Sequence, residues 1–175
     1  GTDLTELIFE NCRVLRGQVL GEIGQGFQLA MQWIDVGRLG IAAAAIGTAE
    51  RLLEMAKVYA NERVTFGKPL ADRQAIQWMI ADSAIEVQAA RLLTYQTAAL
   101  GDKGQETRQG SAMAKLYASK VAMEQTVEAV QIHGGNGFVK EYHVERLMRD
   151  AKITQIYEGT SEIQKIVISR GLIKG

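Results

Sequence analysis

A single proline, Pro69, stands in the 175 residues of this chain. Loop-rich and all-β proteins use proline freely, but the interior of a long α-helix excludes it, because the ring removes a hydrogen-bond donor and collides with the preceding turn. The fold class expected is therefore all-α. Helical spacing of apolar residues supports this. Over 27–62, Leu39, Ala42, Ala43, Ile46, Leu53 and Ala56 fall on one face, and the small cluster 42–45 with Gly47 lets a neighbouring helix approach closely. Gly67 and Pro69 end that helix. A second, 71–100, carries Ile76, Met79, Ile80, Ala84, Val87 and Ala90 on one face and Trp78, Ile85, Ala89 and Leu92 on another, so it calls for two sets of neighbours. After the polar linker GDKGQET, a third helix is expected over 107–133, carrying Ala112, Met113, Leu116, Val127 and Val130. A short fourth follows over 144–152 and a last over 161–172. Four longer helices with short loops predict an up-and-down four-helix bundle with a short extra helix and crossings of about +20°.

Residues 4–20 read differently, with β-branched and apolar residues in partial alternation around a polar break at Glu10 and Asn11. This pattern is strand-like. Two short strands cannot bury a sheet face alone, so they either lie against the helices or complete a sheet formed elsewhere.

A hydrophobic content of 47% fits one sizeable core, and twenty basic residues balance twenty acidic ones. Net charge therefore points to no nucleic-acid or membrane-surface partner. The single Cys12 precludes an intrachain disulfide and suits a reducing compartment. No uninterrupted apolar run reaches the about 18 residues of a bilayer-spanning helix, and GTDLTEL is not a signal peptide; a soluble intracellular protein is expected. Four-helix bundles can hold a di-iron centre through Glu-x-x-His motifs, but neither His133 nor His143 has a glutamate three residues before it. No metal site is expected, and both histidines read as surface residues.

The chemistry-bearing stretch runs over 131–164. In QIYEGTSEIQ, Glu158 precedes Gly159, and Ser161 with Gln164 has the spacing of a capping box opening the last helix. If Ile156 and Tyr157 exclude water, desolvation tunes the carboxyl toward use as a general base; otherwise Glu158 is an exposed turn residue. In QIHGGNGF, Gly134 and Gly135 either cap a helix or let main-chain N–H groups face an anion. Asp35 and Arg38, one turn apart, read as a surface ion pair. The loop ERVTFGKPL displays Arg63, Thr65 and Phe66: Phe66 packs into the core where the helices turn, or offers a stacking face beside a phosphate held by the arginine.

In their order and spacing, QIHGGNGF, EYHVERLMRDAKI and QIYEGTSEIQ resemble the C-terminal helical domain of the acyl-CoA dehydrogenase family, of the medium- and short-chain type. The resemblance implies an FAD-dependent dehydrogenase in which Glu158 removes the α-proton of an acyl-CoA thioester. It places Asp35 and Arg38 at the CoA moiety and Tyr157 and Gly159 beside the reacting carbons. Cofactor contacts are implied for Arg63, Val64, Thr65 and Phe66, across a subunit boundary, and for Gln74, Gln131, Ile132, His133, Gly134, Gly135, Thr160 and Glu162. Relatives acting on some branched or long chains carry the base at the position of Gly37, which has no side chain here. By resemblance, 1–20 is the tail of a middle β domain and 21–175 the helical domain, with the N-terminal helical domain and most of the β domain absent. A homodimer or homotetramer using electron-transfer flavoprotein as acceptor is implied, cytoplasmic in a bacterium or in the mitochondrial matrix of a eukaryote, with the chain alone turning over little. A flavin oxidase relative and a non-catalytic helical interaction module are the alternatives.

Overall fold

The structure, a computed structural model, describes residues 3–174. Three long helices dominate: α1 (Gly26–Glu62), α2 (Gln74–Asp102) and α3 (Arg108–His133). Two shorter ones follow, α4 (Val144–Thr154) and α5 (Ser161–Lys174). At the break marked by Gly67 and Pro69 the chain makes a minimal hairpin, β1 (Val64–Thr65) antiparallel to β2 (Lys68–Pro69), with Val64 opposite Pro69. All five expected helices are present, with ends within three residues of those predicted.

The most extensive interface joins α1 to α3, with α2 packed against both and α4 and α5 seated on α3. Its centre is a seam of small side chains: Ala42, Ala45 and Ala49 of α1 share one buried cluster with Ala114, Ala118 and Ala122 of α3 and with Val87 and Ala90 of α2. Alanine keeps the side-chain layer thin, so the α1 and α3 backbones come close and α3 becomes the axis of the bundle. By length and mean hydropathy α1 reaches the level of a bilayer-spanning helix, contrary to the expectation that no segment would. Core helices of globular proteins reach it too, and in this fold α1 is the element on which α2 and α3 pack.

Four expectations need correction. Residues 3–25 form no strand, only a 3-10 turn at Arg16–Gln18, and Leu4, Leu7, Ile8, Phe9 and Leu20 are exposed. Alternation alone cannot make a strand where no neighbouring strand takes up the backbone donors and acceptors. Ala43, Ala84 and Val127, placed on core faces, are exposed because the seam is narrower than the apolar stripes. His133 is buried, stacked on Tyr59 with ring centroids 4.2 Å apart, whereas His143 is exposed as expected. Phe66 does not enter the core: it is 98% exposed at the hairpin tip, at φ +49°.

Candidate active site

Between α4 and α5 the chain turns sharply through Glu158 at φ +51° and Gly159 at φ +93°. Gly159 adopts this region freely, but Glu158 pays about 1–2 kcal/mol in contacts between its Cβ and the backbone. Side-chain bonds from two helices hold it there. Gln164, fully buried on α5, donates its amide hydrogens to Glu158 O (3.1 Å) and Gly159 O (2.8 Å), and the ammonium of Lys115 on α3 donates to Gly159 O at 2.8 Å. Gln164 therefore does not close the expected capping box: α5 starts at Ser161 as predicted, but its glutamine side chain reaches back to two carbonyls.

The result is a carboxylate set directly over Gly37 of α1. A Cβ at Gly37 would lie 2.5 Å from Glu158 Oε2 and 2.8 Å from Oε1, inside van der Waals contact, so the position tolerates no side chain without displacing the carboxylate. Glu158 Oε2 is buried without a hydrogen-bond partner. Beside it on α1, Arg38 is buried rather than on the surface; its Nη1 donates to Asp35 Oδ1 at 2.6 Å, and its Nε is buried with no partner. Burial and the Arg38 charge push the Lys115 ammonium below its ordinary pKa, while Glu158 and Glu162 oppose that shift. Burial, with the Glu158 charge, pushes the Tyr157 phenol up. The three charged side chains Arg38, Lys115 and Glu158 thus form one electrostatic cluster, drawn from α1, α3 and the turn.

Main-chain bonding leaves three amides of the turn unused. Tyr157 N–H donates to Ile153 O and Ser161 N–H to Gln155 O, but the amides of Glu158, Gly159 and Thr160 enter no backbone bond among the described residues. Glu162 is exposed; hydrogen bonds from its own backbone N–H and from the Thr160 hydroxyl hold its carboxyl below the usual range.

A second set of predicted residues converges elsewhere. Arg63, Thr65, Gln131, Ile132, His133, Gly134 and Gly135 line one cleft of about 370 Å³ between the hairpin and the end of α3, together with Tyr59, Leu70, Ile76 and Asn136. Gly134, at φ +57°, caps α3, and nothing lies within 4 Å of where a side chain would begin at Gly134 or Gly135, so the main chain is bare toward the cleft. His133 Nδ1–H donates to Ala129 O at 2.7 Å, and Asn136 Nδ2 donates to the Tyr59 hydroxyl at 2.9 Å. Val64, Phe66, Gln74, Thr160 and Glu162 are not among the residues lining this cleft. Arg73 ties the hairpin down: its Nη2 donates to Thr65 O at 2.6 Å, and its guanidinium lies 5.9 Å from the Phe66 ring centroid.

Sequence reasoning missed Lys115 and Gln164 as supports of the turn, and Tyr59 and Asn136 in the cleft. It also missed Gly137, where a Cβ would come within 2.6 Å of Val130 O. The Ser-x-x-Gln spacing singled out Gln164 but assigned it to the wrong bond. Lys115 carried no signal at all, being one lysine among the polar residues of a long helix.

The family profile "Acyl-CoA dehydrogenase, C-terminal domain" matches residues 24–173. An acyl-CoA dehydrogenase of Bacillus subtilis is 50% identical over 175 residues, covering all of this chain and 46% of the relative. The human mitochondrial short-chain specific acyl-CoA dehydrogenase is 48% identical over 174 residues, 99% of this chain and 42% of that protein. Butyryl-CoA dehydrogenase of Megasphaera elsdenii superposes with a TM-score of 0.92 at 48% identity, over 95% of this chain and 43% of the other. The chain thus spans less than half the length of these relatives. With the carboxylate turn and the cleft in place on the matching bundle, the chain belongs to the acyl-CoA dehydrogenase family, in its C-terminal helical domain.

Proposed function

We propose that residues 21–175 are the catalytic C-terminal bundle of a flavin-dependent acyl-CoA dehydrogenase, residues 1–20 being the tail of a middle β domain that completes the site. The observation that carries this reading is the Glu158 carboxylate, placed over Gly37 with Oε2 buried and unpartnered. An α-C–H beside a thioester is only weakly acidic, so a base acts on it only when fixed in position and when the developing enolate oxygen is hydrogen-bonded. Glu158 Oε2 takes the α-proton. The Glu158 backbone N–H, outside the turn's own bonds, donates to the thioester oxygen as charge develops there. Asp35 and Arg38 hold the CoA part, and Tyr157 and Gly159 line the reacting carbons.

The cleft fits part of a flavin dinucleotide: Arg63 and Thr65 suit a phosphate, and the bare backbone of Gly134 and Gly135 permits close approach. When bound there, FAD would supply the acceptor for the hydride that leaves the β-carbon. Arg63, Thr65, Gln131, Ile132, His133, Gly134 and Gly135 hold it from within the cleft, and Val64, Phe66, Gln74, Thr160 and Glu162 contribute from outside it. Phe66 is the clearest of these, because a 98% exposed aromatic at a hairpin tip is free to stack on a ligand held by another copy of the chain. The exposed second face of α2, with Trp78, Ile85 and Leu92, and the start of α1, with Phe27 and Trp33, favour assembly into a homodimer or homotetramer. Electron-transfer flavoprotein is the proposed acceptor, and the compartment is the cytoplasm of a bacterium or the matrix of a mitochondrion.

The test is anaerobic titration of the full-length flavoprotein with short- and medium-chain acyl-CoA. Bleaching of the flavin band in the unaltered protein, and its loss in Glu158→Gln, is the expected pair of results. Unaltered protein that does not bleach removes the dehydrogenase reading, and a Glu158→Gln variant that still bleaches removes the base assignment.

A further inference from the structure

Lys115 is the largest fully buried side chain among the described residues, at 0% exposure, and the proposed reaction does not use it. Burying an ammonium is costly unless its hydrogens and charge are matched. Its one hydrogen bond among the described residues, 2.8 Å to Gly159 O, crosses from the axial helix α3 to the residue immediately after the proposed base. The charged groups acting on it are Arg38 of α1, Glu158 of the turn and Glu162 of α5. A simple space-filling role would be met by leucine or methionine at lower cost. The ammonium therefore matches the turn, whose left-handed Glu158 has no reason of its own to stay there.

Resting on the dehydrogenase reading of Glu158, we propose that Lys115 is the positioning residue of the base: its bond to Gly159 O pins the left-handed turn to α3 and so keeps the Glu158 carboxylate over Gly37. Gln164 shares this task from α5, donating to the same carbonyl and to that of Glu158. The two donors approach from different helices, so the turn is fixed in two directions. Loss of Lys115 leaves it hinged on Gln164 alone.

The experiment uses the full-length flavoprotein with Lys115→Met, Lys115→Gln and Lys115→Arg. Methionine keeps the volume without donor or charge, glutamine is uncharged and too short to reach Gly159 O, and arginine retains a cationic donor. A base displaced by about 1 Å costs on the order of 100-fold, so kcat in the Met and Gln variants is expected to fall about 10- to 100-fold. KM for acyl-CoA should change less than about threefold, because a group acting only on the base alters the chemical step rather than binding. The kinetic isotope effect with α-deuterated substrate rises in both, and Lys115→Arg recovers part of kcat.

A second readout needs no catalysis. Hydrogen exchange of the peptide covering 155–164 is expected to quicken about tenfold in the Met and Gln variants, as the Tyr157 and Ser161 bonds open with the turn, while peptides of α1 and α2 keep their protection. Unchanged exchange in 155–164, or unaltered kcat and isotope effect in Lys115→Met, overturns the proposal. Failure of all three variants to fold and hold flavin overturns it too, since Lys115 would then support the whole bundle. Unaltered protein that does not bleach with acyl-CoA sinks the dehydrogenase reading instead, and the exchange measurement still decides whether Lys115 holds the turn.

Discussion

The Glu158 turn and the cleft at the end of α3 are built in opposite ways. The cleft is assembled largely from two local segments, 63–65 and 131–136, each with its residues side by side in sequence, and it is stiffened by rings in contact: Tyr59 on His133, and Tyr142 edge-on to both at 5.8 Å. The turn contributes only three adjacent residues of its own. What fixes its carboxylate comes from three helices: Gly37 on α1 and Lys115 on α3, both far off in sequence, and Gln164 on α5, six residues on from Glu158. A ligand held over many contacts can tolerate a cleft made of short motifs, whereas one proton transferred by one oxygen requires the position of a single side chain to be over-determined.

The sharpest way to break this contrast is to remove the proposed base. In the full-length enzyme Glu158→Gln should lower the rate of flavin reduction by acyl-CoA by about 100- to 10,000-fold, read by stopped-flow bleaching, with the flavin content of the purified protein unchanged. Next is Gly37→Ala, 121 residues from Glu158 along the chain. The added Cβ meets the movable end of a side chain rather than backbone, so kcat should drop about 10- to 100-fold while the melting temperature stays within a few degrees. A large loss of stability with kcat preserved would show that Gly37 serves the helix and not the carboxylate.

On the cleft side, Gly137→Ala sets a Cβ 2.6 Å from Val130 O and 3.0 Å from His133 Cβ. Backbone cannot give way cheaply, and a destabilisation of about 1–3 kcal/mol is expected in urea unfolding, with weakened flavin retention. The smallest effect belongs to a pair that takes part in neither site. Tyr117 O–H donates to Glu86, and that bond raises the phenol pKa from 10.0 to about 12. A neutral acid held protonated in the folded state contributes stability that is complete below pH 10 and is lost as pH rises toward about 12. The loss should be about 1 kcal/mol or less in the partly solvated site, and Tyr117→Phe should flatten the stability profile between those limits without altering kcat.

Helix number, order and approximate ends were legible because they follow from local rules: proline confined to one break, apolar residues at helical spacing, and glycine at 67, 134 and 159. The cleft was half legible for the same reason. Its motif residues lie in continuous segments, yet Tyr59 carried no signal, Asn136 was given no role although it lies in QIHGGNGF, and Phe66 was weighed toward the core although the hairpin turns it outward. The strand-like pattern of 4–20 forms no strand within this chain, because alternation records what a strand would bury, not whether a partner is present to pair with it.

By itself, then, the sequence determined an all-α bundle and nominated Glu158 as its carboxylate, through periodicity, helix breakers and a motif. Only the tertiary structure decided where that carboxylate points. Packing α3 against α1 through an alanine seam brings Gly37 under Glu158, and burial obliges Lys115 and Gln164 to spend their hydrogens on the one turn whose carbonyls are within reach.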